Sequence, residues 1–147
     1  MKKRTPIRIG IVSSDFRQHV ADALEKNCIR TLQKEGVPRS RIDVFRVPGA
    51  MEIPLTLKKL ARTKKYDALI AFGAIVKGKT YHFEQIANEC ARGCMDVSLE
   101  HEIPVIFEVL AVYHIQDAVA RATRAKENKG VEAAQTALRM IEILADL

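Results

Sequence analysis

Short apolar segments that alternate with amphipathic ones constrain this chain more than any other feature. Ala68–Ala74 is an uninterrupted apolar run without a charged residue. A strand buried on both faces has this composition, and such strands are typical of parallel sheets that are covered by helices. Shorter strands are predicted at Ile7–Ser13 and Val105–Leu110, with few charged residues, and at Ile42–Val47, where charged and apolar residues alternate. Burying four such strands requires helices on both faces of one sheet.

Amphipathic segments follow each of these strands. His19–Glu35 carries apolar residues at helical spacing on one face. Further helices are predicted at Met51–Arg62, Thr80–His101, His114–Arg121 and Glu127–Leu147. Strands joined by crossover helices form parallel sheets. We therefore predict a single domain over residues 1–147 with an α/β fold: a flavodoxin-like three-layer α/β/α sandwich around a central four-stranded parallel sheet.

The composition restricts the possible partners. The net charge is +6, but the basic residues are scattered and only 5% of residues are aromatic. With no nucleic-acid-binding motif beside them, these charges argue against a nucleic-acid partner and are compatible with a small phosphorylated ligand. No apolar run reaches the roughly 18 residues that a membrane span needs. The N-terminus lacks the apolar core of a signal peptide, so we interpret it as leading into a strand.

Three cysteines, Cys28, Cys90 and Cys94, are present. An odd number without a disulfide framework predicts a reducing compartment, and hence a cytoplasmic protein. No further metal ligands stand at a matching spacing, so we predict that all three are small buried apolar residues.

The loops after the predicted strands contain the residues with chemical potential, because ligands of open α/β sheets bind at the carboxyl ends of strands. One such loop follows Ala74 and leads through Gly78 and Thr80 to His82 at a predicted helix start. Free amides at a helix N-terminus attract phosphate. His82 could accept or relay protons there, or it could serve only to cap or pack the helix.

Three other places could hold a ligand or could be purely structural. Glu52, in the first turn of a predicted helix, could bind ligand hydroxyls or simply complement the helix dipole. Phe16 could stack on a flat heterocycle or lie in the core. Arg121 and Lys129 could grip an anion or be surface charges, and Glu132 is spaced to pair with Lys129 within a helix.

Three segments, taken in order, give a more specific indication. They are Val47-Pro-Gly-Ala-Met-Glu-Ile-Pro54, Gly78-Lys-Thr-Tyr-His-Phe83 and Asn128-Lys-Gly-Val-Glu-Ala-Ala134. They are similar to the VPG-aromatic-E-[IL]-P, G-x-T-x-HF and NKG-x-EAA segments of lumazine synthases, at the spacings of that family. The chain resembles lumazine synthases over nearly its full length, from about Ile7 to Leu144.

The resemblance implies a condensation of 5-amino-6-(D-ribitylamino)uracil with 3,4-dihydroxy-2-butanone 4-phosphate, a step of riboflavin biosynthesis, without a metal or organic cofactor. It implies that Phe16 stacks on the pyrimidine and that the backbone of Ile75 and Val76 reads its polar edge. The ribityl chain would be held by Ala50, Met51 and Glu52.

For the sugar phosphate, the resemblance implies amides from Lys79 and Thr80 and a grip by Arg121, with His82 as the proton shuttle. The remaining polar site residues of the family are matched by Lys129 and Glu132, and Phe107 would close the pocket from a neighbouring subunit. The family occurs as pentamers and larger shells with a site shared between subunits, so the implied partners are phosphate, the two substrates and further copies of the chain.

The chain departs from the family pattern at four places. Arg17 follows Phe16 where the family usually has asparagine, Met51 replaces the aromatic of the VPG segment, and Lys77 replaces an arginine. Glu108, in the segment Phe107–His114, stands where the family has glycine. Two other interpretations remain open: a non-catalytic relative that binds flavin or lumazine in an oligomeric shell, and an unrelated flavodoxin-like nucleotide-binding or signalling domain.

Overall fold

The computed structural model describes residues 6–147, and the basic N-terminal stretch of the sequence lies largely outside them. Within this part, the chain alternates strands and helices as predicted. The strands are β1 (Ile9–Ser14), β2 (Ile42–Val47), β3 (Ala68–Val76) and β4 (Val105–Val112). The helices are α1 (Gln18–Lys34), α2 (Ile53–Arg62), α3 (His82–His101), α4 (Ile115–Thr123) and α5 (Lys129–Ala145).

The four strands form one parallel sheet in the order β2-β1-β3-β4. The central strands β1 and β3 are buried along nearly their whole length, which explains the uninterrupted apolar run of β3 and the absence of charged residues from β1. Helices cover both faces of the sheet, so the predicted three-layer α/β/α sandwich is confirmed.

Successive residues of β3 point to opposite faces and therefore belong to different cores. Ile70 and Phe72 lie in the core formed with α1, α4 and α5. Leu69 and Ala71 lie in the core formed with α2 and α3. The three cysteines are free and buried, as predicted: Cys28 lies in the first core, and Cys90 and Cys94 in the second. In the described part, no helix has the length and apolar character needed to cross a membrane.

Several element ends differ from the sequence prediction. A 3₁₀ turn at Ala50–Glu52 precedes α2, which begins only at Ile53. Thr80 does not cap α3, which begins at His82 after Tyr81. The strands β3 and β4 run two residues further than predicted, because they stay paired in parallel as far as Val76 and Val112. Each difference falls at the carboxyl end of the sheet, where the loops rather than the core set the local structure.

Candidate active site

A cavity of about 560 Å³ lies where β1, β2 and β3 end. Its walls come from the loop after β1, the 3₁₀ turn before α2, the end of β3 and the start of α3. The predicted site residues among its lining are Phe16, Ala50, Met51, Glu52, Ile75, Val76, Thr80 and His82. One chain therefore brings eight of the thirteen predicted site residues around a single space.

The loop after β1 holds Phe16 at the mouth of this cavity. The Phe16 ring is 64% exposed, so the interpretation that it lies in the core is wrong. Its backbone N–H donates to the carbonyl of Pro48 at 3.2 Å, and the Asp15 N–H donates to the carbonyl of Val47 at 2.7 Å. The aromatic ring is exposed while its backbone is fixed, which suits a platform for a flat ligand.

Arg46, which the sequence did not single out, strengthens this loop from β2. Its guanidinium donates to Glu25 at 2.7 and 2.8 Å, to Asp15 at 3.2 Å and also to Asp22. The hydrogen bonds that Arg46 donates to the Glu25 carboxylate are the main reason why the pKa of Arg46 lies well above its ordinary value. One cation thus ties the Phe16 loop to α1 and to the end of the sheet.

Arg17 also lines the cavity. Its backbone is in the left-handed region, with φ 65°, at the N-terminus of α1. Its guanidinium carbon lies 5.2 Å from the centroid of the Phe16 ring. This distance is within the range of a cation–π contact, so Arg17 covers part of the aromatic platform.

The 3₁₀ turn places Glu52 and Met51 at the surface and buries Ala50 beneath them. The Glu52 N–H donates to the carbonyl of Gly49 at 3.2 Å. A Cβ added to Gly49 would lie 3.8 Å from the Glu52 carboxylate. The missing side chain at position 49 therefore leaves open space next to that carboxylate, where ligand hydroxyls could bind.

The loop between β3 and α3 presents His82 as the first residue of α3, with its side chain exposed. Ile75 is buried and Val76 half-buried at the end of β3. Gly78 and Thr80 line the cavity, whereas Lys79 is exposed and is not part of the lining.

Lys77 holds this loop in place. Its ammonium group lies 2.9 Å from the carboxylate of Glu84 in the first turn of α3, and this hydrogen bond lowers the pKa of Glu84. The same ammonium lies 5.7 Å from the ring of Phe83 and 5.8 Å from that of Tyr113. Lysine at this position therefore links the start of α3 to the loop after β4.

A second group of residues lies apart from the cavity lining. We call it the β4–α5 surface: Phe107, Glu108, Arg121, Lys129 and Glu132. It contains four of the predicted site residues. Phe107 is 37% exposed on β4, which lies at the edge of the sheet. Arg121, in the last turn of α4, donates to the carbonyl of Asp117 at 3.0 Å. Lys129 and Glu132 form the predicted intrahelical ion pair at 2.8 Å.

Glu108 is the unusual member of the β4–α5 surface. It pairs in register with the buried Phe72, so it points to the face of the sheet that α5 covers. Burial raises the pKa of the half-buried Glu108 carboxyl to about 7; Lys129 opposes this rise and Glu132 adds to it. Glu108 therefore puts an ionisable group with a raised pKa on an edge strand.

The NKG segment is built around Asn128, a residue that the sequence analysis did not select. Asn128 is 5% exposed, and its Oδ1 accepts from the N–H groups of Gly130 at 2.9 Å and Val131 at 3.1 Å. Its amide donates to the carbonyls of Ala122 and Arg124. An asparagine directly before a helical pattern is a typical N-cap, and this signal could have identified it.

Gly130 of the same segment allows α5 to approach α1 closely. An added Cβ would lie 2.5 Å from the carbonyl oxygen of Leu24, which is too close for any other residue. The Asn and Gly of the segment are thus explained by folding, whereas Lys129 and Glu132, which pair with each other, are its charged side chains that could meet a ligand.

A comparison with known families agrees with this arrangement. Residues 6–145 of the 147 match the family 6,7-dimethyl-8-ribityllumazine synthase. That family consists of oligomeric, transferase-type enzymes of riboflavin biosynthesis that act on small substrates. The match covers both the cavity and the β4–α5 surface, and an unrelated flavodoxin-like domain is excluded. The chain belongs to the 6,7-dimethyl-8-ribityllumazine synthase family.

Proposed function

We propose that this protein condenses 5-amino-6-(D-ribitylamino)uracil with 3,4-dihydroxy-2-butanone 4-phosphate to give 6,7-dimethyl-8-ribityllumazine. The observation that carries the proposal is the cavity that joins an aromatic platform, a carboxylate and a histidine, namely Phe16, Glu52 and His82. These three groups match what the reaction requires. Phe16 can stack on the flat pyrimidine, Glu52 can bind the ribityl hydroxyls and His82 can transfer protons.

The pyrimidine stacks on Phe16, and the backbone of Ile75 and Val76 binds its polar edge at the end of β3. Glu52 accepts hydrogen bonds from the ribityl hydroxyls in the open space beside Gly49, and Ala50 and Met51 form the adjacent wall. Because these groups belong to the sheet and to the fixed turn beside it, the 5-amino group of the substrate is held in a defined position.

The reaction begins when this amine attacks the ketone of the sugar phosphate and water leaves to give an imine. Inorganic phosphate is then eliminated, and the ring closes with loss of a second water. His82 lies at the cavity, where it can take a proton from one intermediate and return it to the next. Both substrates are reactive without an enzyme, so positioning supplies much of the rate enhancement. The steps require no metal or organic cofactor.

The phosphate is bound at the start of α3 by the backbone N–H groups of Lys79 and Thr80. Arg121 adds a bidentate grip and stabilises the phosphate as it leaves. In its own chain, however, Arg121 lies on α4 and outside the cavity lining. The same separation applies to Phe107, Lys129 and Glu132.

We propose that a neighbouring copy supplies these residues. The family is oligomeric, and a cyclic arrangement places the β4–α5 surface of each copy against the cavity of the next. Phe107 then closes the cavity, and Lys129 and Glu132 complete its polar wall. The basic unit is a pentamer, and light scattering of the purified protein measures its mass.

The test is to mix the purified protein with both substrates and to follow lumazine absorbance against the spontaneous reaction. The proposal predicts a clear excess over the spontaneous rate and release of one phosphate per product. Tight binding of product or flavin without such an excess would instead identify a non-catalytic relative. In that case the cavity would be correctly described and the reaction wrongly assigned.

A further inference from the structure

Two charged residues stand directly after the two exposed aromatics of the proposed site. Arg17 follows Phe16 at the cavity, and Glu108 follows Phe107 on the β4–α5 surface. The two charges are opposite. This raises the question of whether they act together.

Arg17 is the cation of this possible pair. Among residues 6–147, its guanidinium is in none of the ion pairs within 4.0 Å. The neighbouring carboxylates Asp15, Asp22 and Glu25 are all bound to Arg46. The guanidinium rests on the Phe16 ring, on the ligand side of the loop.

Glu108 is the anion of this possible pair. Within the described part of the chain, no cation lies within 4.0 Å of its carboxylate. The positive charge of Lys129 acts on the Glu108 carboxylate, but the Lys129 ammonium lies 2.8 Å from Glu132. Arg124, a further cation whose charge acts on Lys129, pairs with Glu127 at 3.5 Å. Two carboxylates therefore share one lysine, and a half-buried carboxylate remains without its own counterion.

We propose that Arg17 of one copy forms an ion pair with Glu108 of a second copy, where the β4–α5 surface of the second copy closes the cavity of the first. This inference rests on the two-copy site proposed above. It commits the cavity mouth to one occupant, a further copy of the chain, because Arg17 at the cavity and Glu108 on the β4–α5 surface carry opposite charges that residues 6–147 leave without an ion pair.

The pair would also affect ligand binding. When Glu108 of the neighbour holds the guanidinium, Arg17 leaves the face of the Phe16 ring, and that face becomes free to stack on the pyrimidine. The second copy would then cover the cavity and expose the Phe16 ring to the pyrimidine in the same step. Arg17 and Glu108 are positioning residues in this account, because neither needs to touch a reacting atom.

Charge exchange tests the pair. Arg17→Glu and Glu108→Arg, made separately, each place two like charges together, and we expect each to lower kcat/KM for the pyrimidine about tenfold and to raise the concentration at which the assembly dissociates. In the double variant Arg17→Glu/Glu108→Arg the pair is restored with its charges exchanged. We expect both quantities to return to within about threefold of wild type.

The matched control combines Glu108→Arg with Arg30→Glu, which adds the same charge on an exposed part of α1. This combination should stay as impaired as Glu108→Arg alone. If the exchanged pair is no better than the worse single variant, or if the control restores function equally well, the ion pair is refuted. Dissociation is measured without substrate by light scattering, so it still tests the pair if the wild-type protein proves inactive and the proposed reaction fails.

Discussion

The cavity and the β4–α5 surface are held in different ways. Around the cavity, Phe16 and Ile75 stand at the ends of the two central strands, and Arg46 ties the adjoining loop to α1 with hydrogen bonds to three carboxylates. The β4–α5 surface lies at the edge of the sheet, with an exposed aromatic ring, Phe107, and an incompletely paired carboxylate, Glu108.

This difference indicates that the cavity and the β4–α5 surface have different functions. A site that positions reactants needs groups that are already fixed by the fold, and the cavity has them within one chain. The β4–α5 surface has groups that gain a partner only when something covers them. Catalysis should therefore suffer most from changes at the cavity, and substrate affinity and assembly from changes at the β4–α5 surface.

The largest effect is expected from His82→Ala. The side chain is exposed in the first turn of α3, so its removal should leave the fold intact and lower kcat about a hundredfold, at the low end for general acid–base catalysis because the substrates are reactive. Steady-state kinetics measure this. The control is His19→Ala, also exposed but outside the cavity lining. A His82 variant with the kcat of the control would remove the proton shuttle from the mechanism.

Asn128→Ala separates folding from function within the NKG segment. It removes the N-cap of α5 and two bonds to the end of α4, and we expect the free energy of unfolding to fall by about 2 kcal/mol. Lys129→Ala should change stability by less than about 0.5 kcal/mol. Urea denaturation compares the two, with the exposed Asn88→Ala as control. If Asn128→Ala and Lys129→Ala lower the free energy of unfolding equally, Asn128 does not have the structural role assigned to it.

Arg121→Ala should act on binding more than on chemistry. Loss of a charge-assisted grip on phosphate is expected to raise the KM for the sugar phosphate about tenfold, with a smaller change in kcat. Arg121→Lys should recover only part of this loss, because lysine lacks the planar fork. Arg139→Ala, exposed on α5, is the control. Wild-type kinetics for both Arg121 variants would refute the phosphate assignment.

The smallest expected effect is the change in stability with pH that Glu108 causes. Burial raises the pKa of Glu108 from 4.5 to about 7 in the isolated chain. The folded chain then holds a proton that the unfolded chain has lost, so the fold loses stability as pH rises through this window. The side chain of the Glu108→Gln variant cannot ionise. Above about pH 7, the free energy of unfolding of this variant should exceed that of wild type by about 1 kcal/mol, after allowance for the partial exposure of the side chain.

Denaturation of dissociated chains at several pH values measures this difference. If the curves of wild type and Glu108→Gln stay parallel from pH 4.5 to 7, the edge carboxyl is not perturbed as the structure indicates. In the assembly, the cation of Arg17 should keep Glu108 ionised, and the stability advantage of Glu108→Gln over wild type should disappear.

The sequence was enough to predict the layers, the four strands and most members of the cavity. Uninterrupted apolar runs such as Ala68–Ala74 can be buried in few ways, and the rule for carboxyl ends then selects the loops. The sequence could not show that Lys79 lies outside the cavity lining, because the conformation of the loop decides which of its residues face the cavity. It also missed Arg46, because a three-carboxylate cluster forms only when β1, β2 and α1 meet.

The central claim is that the cavity of one copy works with the β4–α5 surface of another. Co-assembly of His82→Ala and Arg121→Ala subunits in equal amounts tests it directly, under limiting sugar phosphate. If each site joins two copies, about a quarter of the sites regain both wild-type residues, and activity should rise to about a quarter of wild type, well above the mean of the two parents. A mixture that shows only that mean would place both residues in the same chain's site and contradict the account.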